Sequence, residues 1–152
     1  MGKLIIGIDP GKNGGLALMS ESFVVVSSGK MPETCVDLRD TIEDYKMQGA
    51  EVAYLEQVHA MPTDGKVGLF SFGQGFGRLQ QVLADCRLRT IEVSPGTWQK
   101  ALGLTKKKGD TSDHKKALKA RAQQLFPEMK VTNYNQDALL IAYYGLKKEN
   151  GL

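Results

Sequence analysis

Three acids in this sequence stand where an acid can do chemistry. Asp9 ends the apolar run LIIGID and is followed by PGKNGG; Glu56 ends a second run, EVAYLE; Asp137 opens a third, DALLIAYYG. A carboxylate at the edge of an apolar segment is costly unless it is paired or holds a cation. Gly11, Gly14 and Gly15 can take a positive φ or allow close backbone approach, so the turn after Asp9 could hold that acid at a rim beside a metal or a phosphate. Three carboxylates from distant segments would make a hard-oxygen site for Mg²⁺, with Mn²⁺ as a substitute. Two such ions ~3.5–4 Å apart suit phosphodiester hydrolysis, because they stabilise both the attacking and the leaving oxygen. Each acid also has a plainer reading alone: Asp9 and Glu56 as solvated strand ends, Asp137 as a helix N-terminal charge. Their shared placement at element ends, beside glycine-rich or polar loops, weighs against all three plain readings holding together.

The elements that must position these acids follow from hydrophobic periodicity. Residues 3–9 read as a buried strand, and 14–20 and 22–28 as two more, joined by short turns in an antiparallel meander. Residues 34–48 have helical spacing at Val36, Leu38, Ile42 and Tyr45, with Gly49 as a stop. Residues 51–58 form a fourth strand ending near Glu56, followed by the Pro/Gly loop HAMPTDGKVG. A helical pattern runs from Leu69 to Ala84, interrupted at its start by Gly73, Gly75 and Gly77. RTIEV, residues 89–93, is a fifth strand; Ser94 and Pro95 then give an N-cap and a first helical residue. HKKALKARAQQLF is a helix closed by Pro127, and the last helix runs from about Asn135 to Lys148. This order predicts one α/β domain over residues 1–152: a five-stranded mixed sheet with helices on both faces. The tips of the first and fourth strands then become neighbours, which would bring Asp9 to Glu56.

Charge points to the partner. The net charge of +3 is modest but uneven. Between Lys100 and Arg121, eight basic residues stand against Asp110 and Asp113, a local net of +6 that leaves the rest of the chain at −3. That asymmetry suits a polyanion, although a charge run by itself is more often a solvated surface. With 41% hydrophobic and 24% charged residues, the composition is that of an ordinary soluble protein. No apolar run approaches the ~20 residues that span a bilayer, and the N-terminal residues do not read as a secretory leader, so a cytoplasmic protein without membrane contact is expected. Cys35 and Cys86 lack the spacing of a zinc site and are expected to be idle thiols.

The blocks IGIDPG, LEQVHAMP, FSFGQGFG, SPGTWQKALGL, ARAQQLFP and DALLIAYYG, in this order, resemble the RuvC-type Holliday-junction resolvases, most closely their small phage and plasmid branch. IGIDPG alone is weakly specific, since sugar kinases share it; the six together cover almost the whole chain. The resemblance implies a ribonuclease H-like fold, a homodimer, two Mg²⁺ ions, and paired nicks across a four-way DNA junction, in the cytoplasm of a bacterial host if the chain is phage or plasmid encoded. It assigns Asp9, Glu56 and Asp137 as metal-binding catalytic acids. The family has a fourth acid one helical turn before Asp137, and Asn133 stands in its place. Asn offers a neutral oxygen, with no charge and no base. Either the site is weakened, as an engineered Asp→Asn change would make it, or Asn133 is natural and three acids suffice; the first is preferred, and a helix-capping Asn is the plain alternative.

Other residues take lesser roles. His59 falls where some relatives place an aromatic wedge at the junction centre, though an idle loop histidine is an equal reading. Lys106, Lys107, Lys108, Lys115, Lys116 and Lys119 would contact DNA phosphates, which gives affinity without sequence information. Phe70, Phe72 and Phe76 are expected in the core or a dimer contact, Trp98 in the core, and His114 exposed at a helix start. The competing functions are a junction-binding protein without catalysis, motivated by Asn133, and a sugar-kinase-like ATPase, for which 152 residues leave no room for a second lobe.

Overall fold

Every side chain from Ile5 to Ile8 except that of Gly7 is large, apolar and fully buried, and this makes β1 (Leu4–Asp9) the centre of the sheet. The computed structural model describes residues 2–60, 64–109 and 111–152. Met61, Pro62 and Thr63 of the expected Pro/Gly loop, and Asp110 of the basic loop, lie outside the described residues. The other strands are β2 (Gly15–Ser20), β3 (Val25–Lys30), β4 (Ala50–Glu56) and β5 (Arg89–Val93), in the order β3-β2-β1-β4-β5. β1, β2 and β3 form the expected antiparallel meander, while β1–β4 and β4–β5 pair in parallel.

Helices cover both faces. α1 (Cys35–Met47) and α2 (Lys66–Asp85) pack on one side, over Ile6, Ile8, Leu16, Leu18 and Leu55. α3 (Pro95–Ala101), α4 (Ser112–Leu125) and α5 (Gln136–Glu149) pack on the other, over Ile5, Ala17, Val52 and Tyr54. α5 lies on the sheet with α4 against it, so nearly all of it from Ala138 to Leu146 is buried, well beyond a one-sided stripe.

The starts of β3 and α2 and the buried face of α1 differ from those expected. β3 starts at Val25, because Phe23 takes φ 62° in a turn closed by Ser20 N–H to Val24 O at 2.9 Å. Phe23 itself packs on Tyr143, with ring centroids 5.1 Å apart. α2 begins at Lys66, and Gly73, Gly75 and Gly77 sit within it without interrupting it. Val36 is 68% exposed, off the buried face that α1 makes with Leu38, Ile42 and Tyr45. α3 starts as expected: Ser94 caps it by accepting from Thr97 N–H at 3.2 Å, with Pro95 in its first turn. Among the described residues no helix is long and apolar enough to cross a membrane.

Candidate active site at the carboxyl ends of β1 and β4

Strand alternation aims the two strand acids at the same helix. Ile6 and Ile8 pack toward α1 and α2, Ile5 toward α5, so Asp9 shares the α5 side of β1 with Ile5 and Gly7. On β4, Val52 and Tyr54 face α5 while Ala53 and Leu55 face away, which puts Glu56 on the α5 side too. Ile8 pairs with Leu55 in the parallel ladder, and Asp9 and Glu56 are the next residues along each strand. Neighbouring strands lie about 4.8 Å apart, so the two acids emerge side by side at the sheet's carboxyl edge. In open α/β sheets this edge is where ligands bind.

Two glycines shape the surroundings. A Cβ on Gly7 would overlap the Ala138 carbonyl oxygen and lie 2.5 Å from Ala142 N, so α5 can rest on β1 only because position 7 has no side chain. Asp137 precedes Ala138 and is thereby delivered to the same rim. A Cβ on Gly14 would overlap the Asp9 backbone carbonyl and come 3.1 Å from Asp9 Cγ, so only a residue without a side chain fits the turn beside that acid. The turn itself uses Gly11 at φ 103°, with Gly14 N–H donating to Gly11 O at 3.1 Å.

The three acids are electrostatically coupled. Burial pushes the Asp9 carboxyl up to about 8, reinforced by the charges of Asp137 and Glu56 and opposed by Lys115. Burial lifts Glu56 to about 7; the Trp98 hydrogen bond opposes this and the Asp137 charge adds to it. Asp137 is raised by burial, against the lowering influence of a hydrogen bond from Gln136 and of nearby His114 and Lys115. Each pair among the three therefore interacts, in surroundings that favour neutral carboxyls.

Residues around the acids show roles the sequence did not make plain. Trp98 is fully buried, as expected of a core residue, but its indole N–H also donates to Glu56 Oε2 at 2.8 Å. The signal was there: a buried indole needs an acceptor. Lys115 is exposed, and its charge opposes the upward shift of both Asp9 and Asp137. His114 is half-buried rather than exposed, and its Nε2 lies 3.0 Å from Gln99 Oε1.

The remaining expected site residues lie further out. Asn133 is exposed on the turn before α5, and its Oδ1 accepts from Lys119 Nζ at 3.2 Å. It is not the helix cap: Asn135 holds that position, buried, with its Oδ1 accepting from Thr132 N–H at 2.7 Å. Lys106, Lys107, Lys108 and Lys116 are exposed, as is His59 beyond the end of β4. Phe70 is 70% exposed and so outside the core, while Phe72 and Phe76 are half-buried and stacked at 6.3 Å. Cys35 and Cys86 are free thiols, the first exposed and the second buried.

Among the described residues, no three Asp, Glu, His or Cys side chains are drawn up as a ready-made metal cage. The donor chemistry nonetheless fits a hard dication: three oxygen-donor acids share one rim, and burial and mutual repulsion hold them toward their neutral forms. A cation there would relieve both costs, and would have to draw the carboxylates inward to do so.

No family model and no curated protein matches the sequence. Solved structures do match. Thermus thermophilus RuvC is 14% identical, with 97% of this chain and 96% of that chain covered and a TM-score of 0.63. The T. thermophilus RuvC structure in complex with a Holliday-junction substrate is also 14% identical, covering 98% and 96% with a TM-score of 0.68. Fowlpox virus resolvase, in complex with substrate Holliday-junction DNA, is 15% identical over 97% of each chain, with a TM-score of 0.50. Strand order, helix placement and this coverage together give the chain the ribonuclease H-like fold in the form seen in RuvC and poxvirus Holliday-junction resolvases.

Proposed function

We propose that this chain is a metal-dependent endonuclease that resolves four-way and related branched DNA junctions by paired phosphodiester hydrolysis, working as a homodimer in the cytoplasm. The observation that carries this reading is the meeting of Asp9 and Glu56, adjacent at the carboxyl ends of parallel strands, with Asp137 brought to them by α5. The fold adds support, since two solved structures that share it are resolvases in complex with Holliday-junction DNA.

Asp9, Glu56 and Asp137 would hold Mg²⁺, or Mn²⁺ in its place; bound there, two such ions supply positive charge to the attacking and leaving oxygens. The chain's own residues do the rest. Lys115 sets a fixed positive charge against Asp9 and Asp137, where a scissile phosphate would meet it. Lys106, Lys107, Lys108, Lys116 and Lys119 hold the DNA arms by their phosphates, and His59 reaches toward the junction centre. Paired cuts require two sites. The first half of α2 offers a second copy an apolar surface, with Val67 83% and Phe70 70% exposed.

The test is a labelled four-way junction incubated with Mg²⁺. Resolved duplexes, lost in Asp9→Asn and Glu56→Gln with junction binding retained, support the enzyme. A second reading, a junction binder without catalysis, is favoured by Asn133, whose neutral side chain is engaged by Lys119. A gel shift with no nicking in either Mg²⁺ or Mn²⁺ would establish the binder and refute the nuclease.

A further inference from the structure

Trp98 is the only tryptophan in the chain, and no part of it is exposed. Indole carries one polar atom, a donor with no acceptor capacity, and here it is spent on Glu56 Oε2. Both partners are rigidly placed. Trp98 sits in α3, whose start is fixed by the Ser94 cap and Pro95. α3 follows β5 directly, and β5 is tied to the end of β4 by the Glu56–Val93 register and by Gln57 N–H to Val93 O at 2.8 Å. The donor and the acid it holds are thus connected by a short, fully hydrogen-bonded path. Oε2 accepts the indole N–H, and Oε1 is free of that bond.

We propose that Trp98 is a positioning residue for Glu56: its indole N–H fixes the carboxylate's orientation, so that the acid is already aimed when a metal ion binds. This rests on the metal-dependent reading above. Partners beyond the ligands commonly orient metal-binding side chains in this way, and a carboxylate that is already hydrogen-bonded loses less freedom when the ion arrives. A consequence is optical: the chain's single indole touches a metal-binding carboxylate, so its emission should report metal binding directly.

The experiment is a Mn²⁺ titration of the DNA-free protein, read by electron paramagnetic resonance of free Mn²⁺ and by Trp98 fluorescence. Wild type should take up Mn²⁺ saturably with a parallel change in emission, and Glu56→Gln should lose both. Replacing Trp98 with benzothienylalanine, which keeps the shape but lacks the N–H, should weaken Mn²⁺ binding roughly 10–100-fold in protein with wild-type circular dichroism. Trp98→Phe should do the same; if it fails to fold, the isosteric variant decides. Equal Mn²⁺ affinity in the isosteric variant and wild type overturns the positioning role while leaving the metal-dependent reading intact. Wild type that takes up no Mn²⁺, or takes it up regardless of Glu56→Gln, overturns that reading and this inference together.

Discussion

Gly7 of β1 and Ala138 of α5 meet backbone to backbone, and this contact sets the height of Asp137 over Asp9. Ala142 closes on the same glycine from the next turn of the helix. Gly7→Ala should therefore lift α5 from the sheet. Overpacking of this kind costs about 1–3 kcal/mol, and each kcal/mol lowers the melting temperature by roughly 2–4 °C in a chain of this size. Mn²⁺ affinity should fall with it, because Asp137 moves with the helix. An unaltered melting temperature would mean that the helix does not rest on position 7.

The buried acids predict an unusual pH dependence of stability in metal-free protein. Asp9 and Glu56 are raised to about 8 and about 7, from ordinary values of 3.8 and 4.5. The folded state thus binds more protons than the unfolded state between those limits, so stability falls as pH rises. The contribution is fully present below about pH 4 and is lost as pH climbs through 7 to 8. In chelator, thermal melts should weaken from pH 5 to pH 8, Asp9→Asn should flatten that slope, and Mg²⁺ should restore stability at pH 8. A metal-free melting temperature that stays level or rises over this range would contradict the burial of these carboxyls.

Binding to a four-way junction should be strongly salt-dependent. For each phosphate neutralised, log K should fall against log salt with a slope of about −0.9. Lys106, Lys107 and Lys108 are all exposed, so changing the three to Ala should flatten the slope by roughly two to three units if each meets a phosphate. Binding isotherms at several salt concentrations measure this directly, and an identical slope in the variant removes the loop from the interface.

Position 133 tests the weakened site. Asn133→Asp adds a carboxylate on the turn leading into α5, beside Lys119. Single-turnover cutting of a junction in Mg²⁺ should rise at least roughly a hundredfold, equivalent to ~2.7 kcal/mol of transition-state stabilisation. Binding should weaken only modestly, since Lys119 alone of the proposed phosphate contacts is hydrogen-bonded to position 133. Equal rates for the two proteins would exclude position 133 as a ligand and leave three acids to act.

Much of this fold was legible locally. The alternating and buried patterns of β1 and β4, the Ser94–Pro95 start of α3 and the apolar spacing of α5 are short-range signals, set by strand and helix periods and by caps within one turn. The acids were legible too, because Asp9, Glu56 and Asp137 each break an apolar run at its edge. The Phe23 turn was not: a bulky residue at positive φ is held there by its packing on Tyr143, far along the chain. Nor was the start of α2, since glycine content argues against a helix whose local geometry accepts it.

The sequence by itself determined the residue types: three acids at element ends, a basic segment, and a glycine at position 7. Only the tertiary structure decided what those residues face. Whether Trp98 merely fills the core or also donates to Glu56, and whether Asn133 caps a helix or meets Lys119, depend on segments separated in sequence. Burial and charge–charge coupling are properties of the packed neighbourhood, which no single stretch of chain contains.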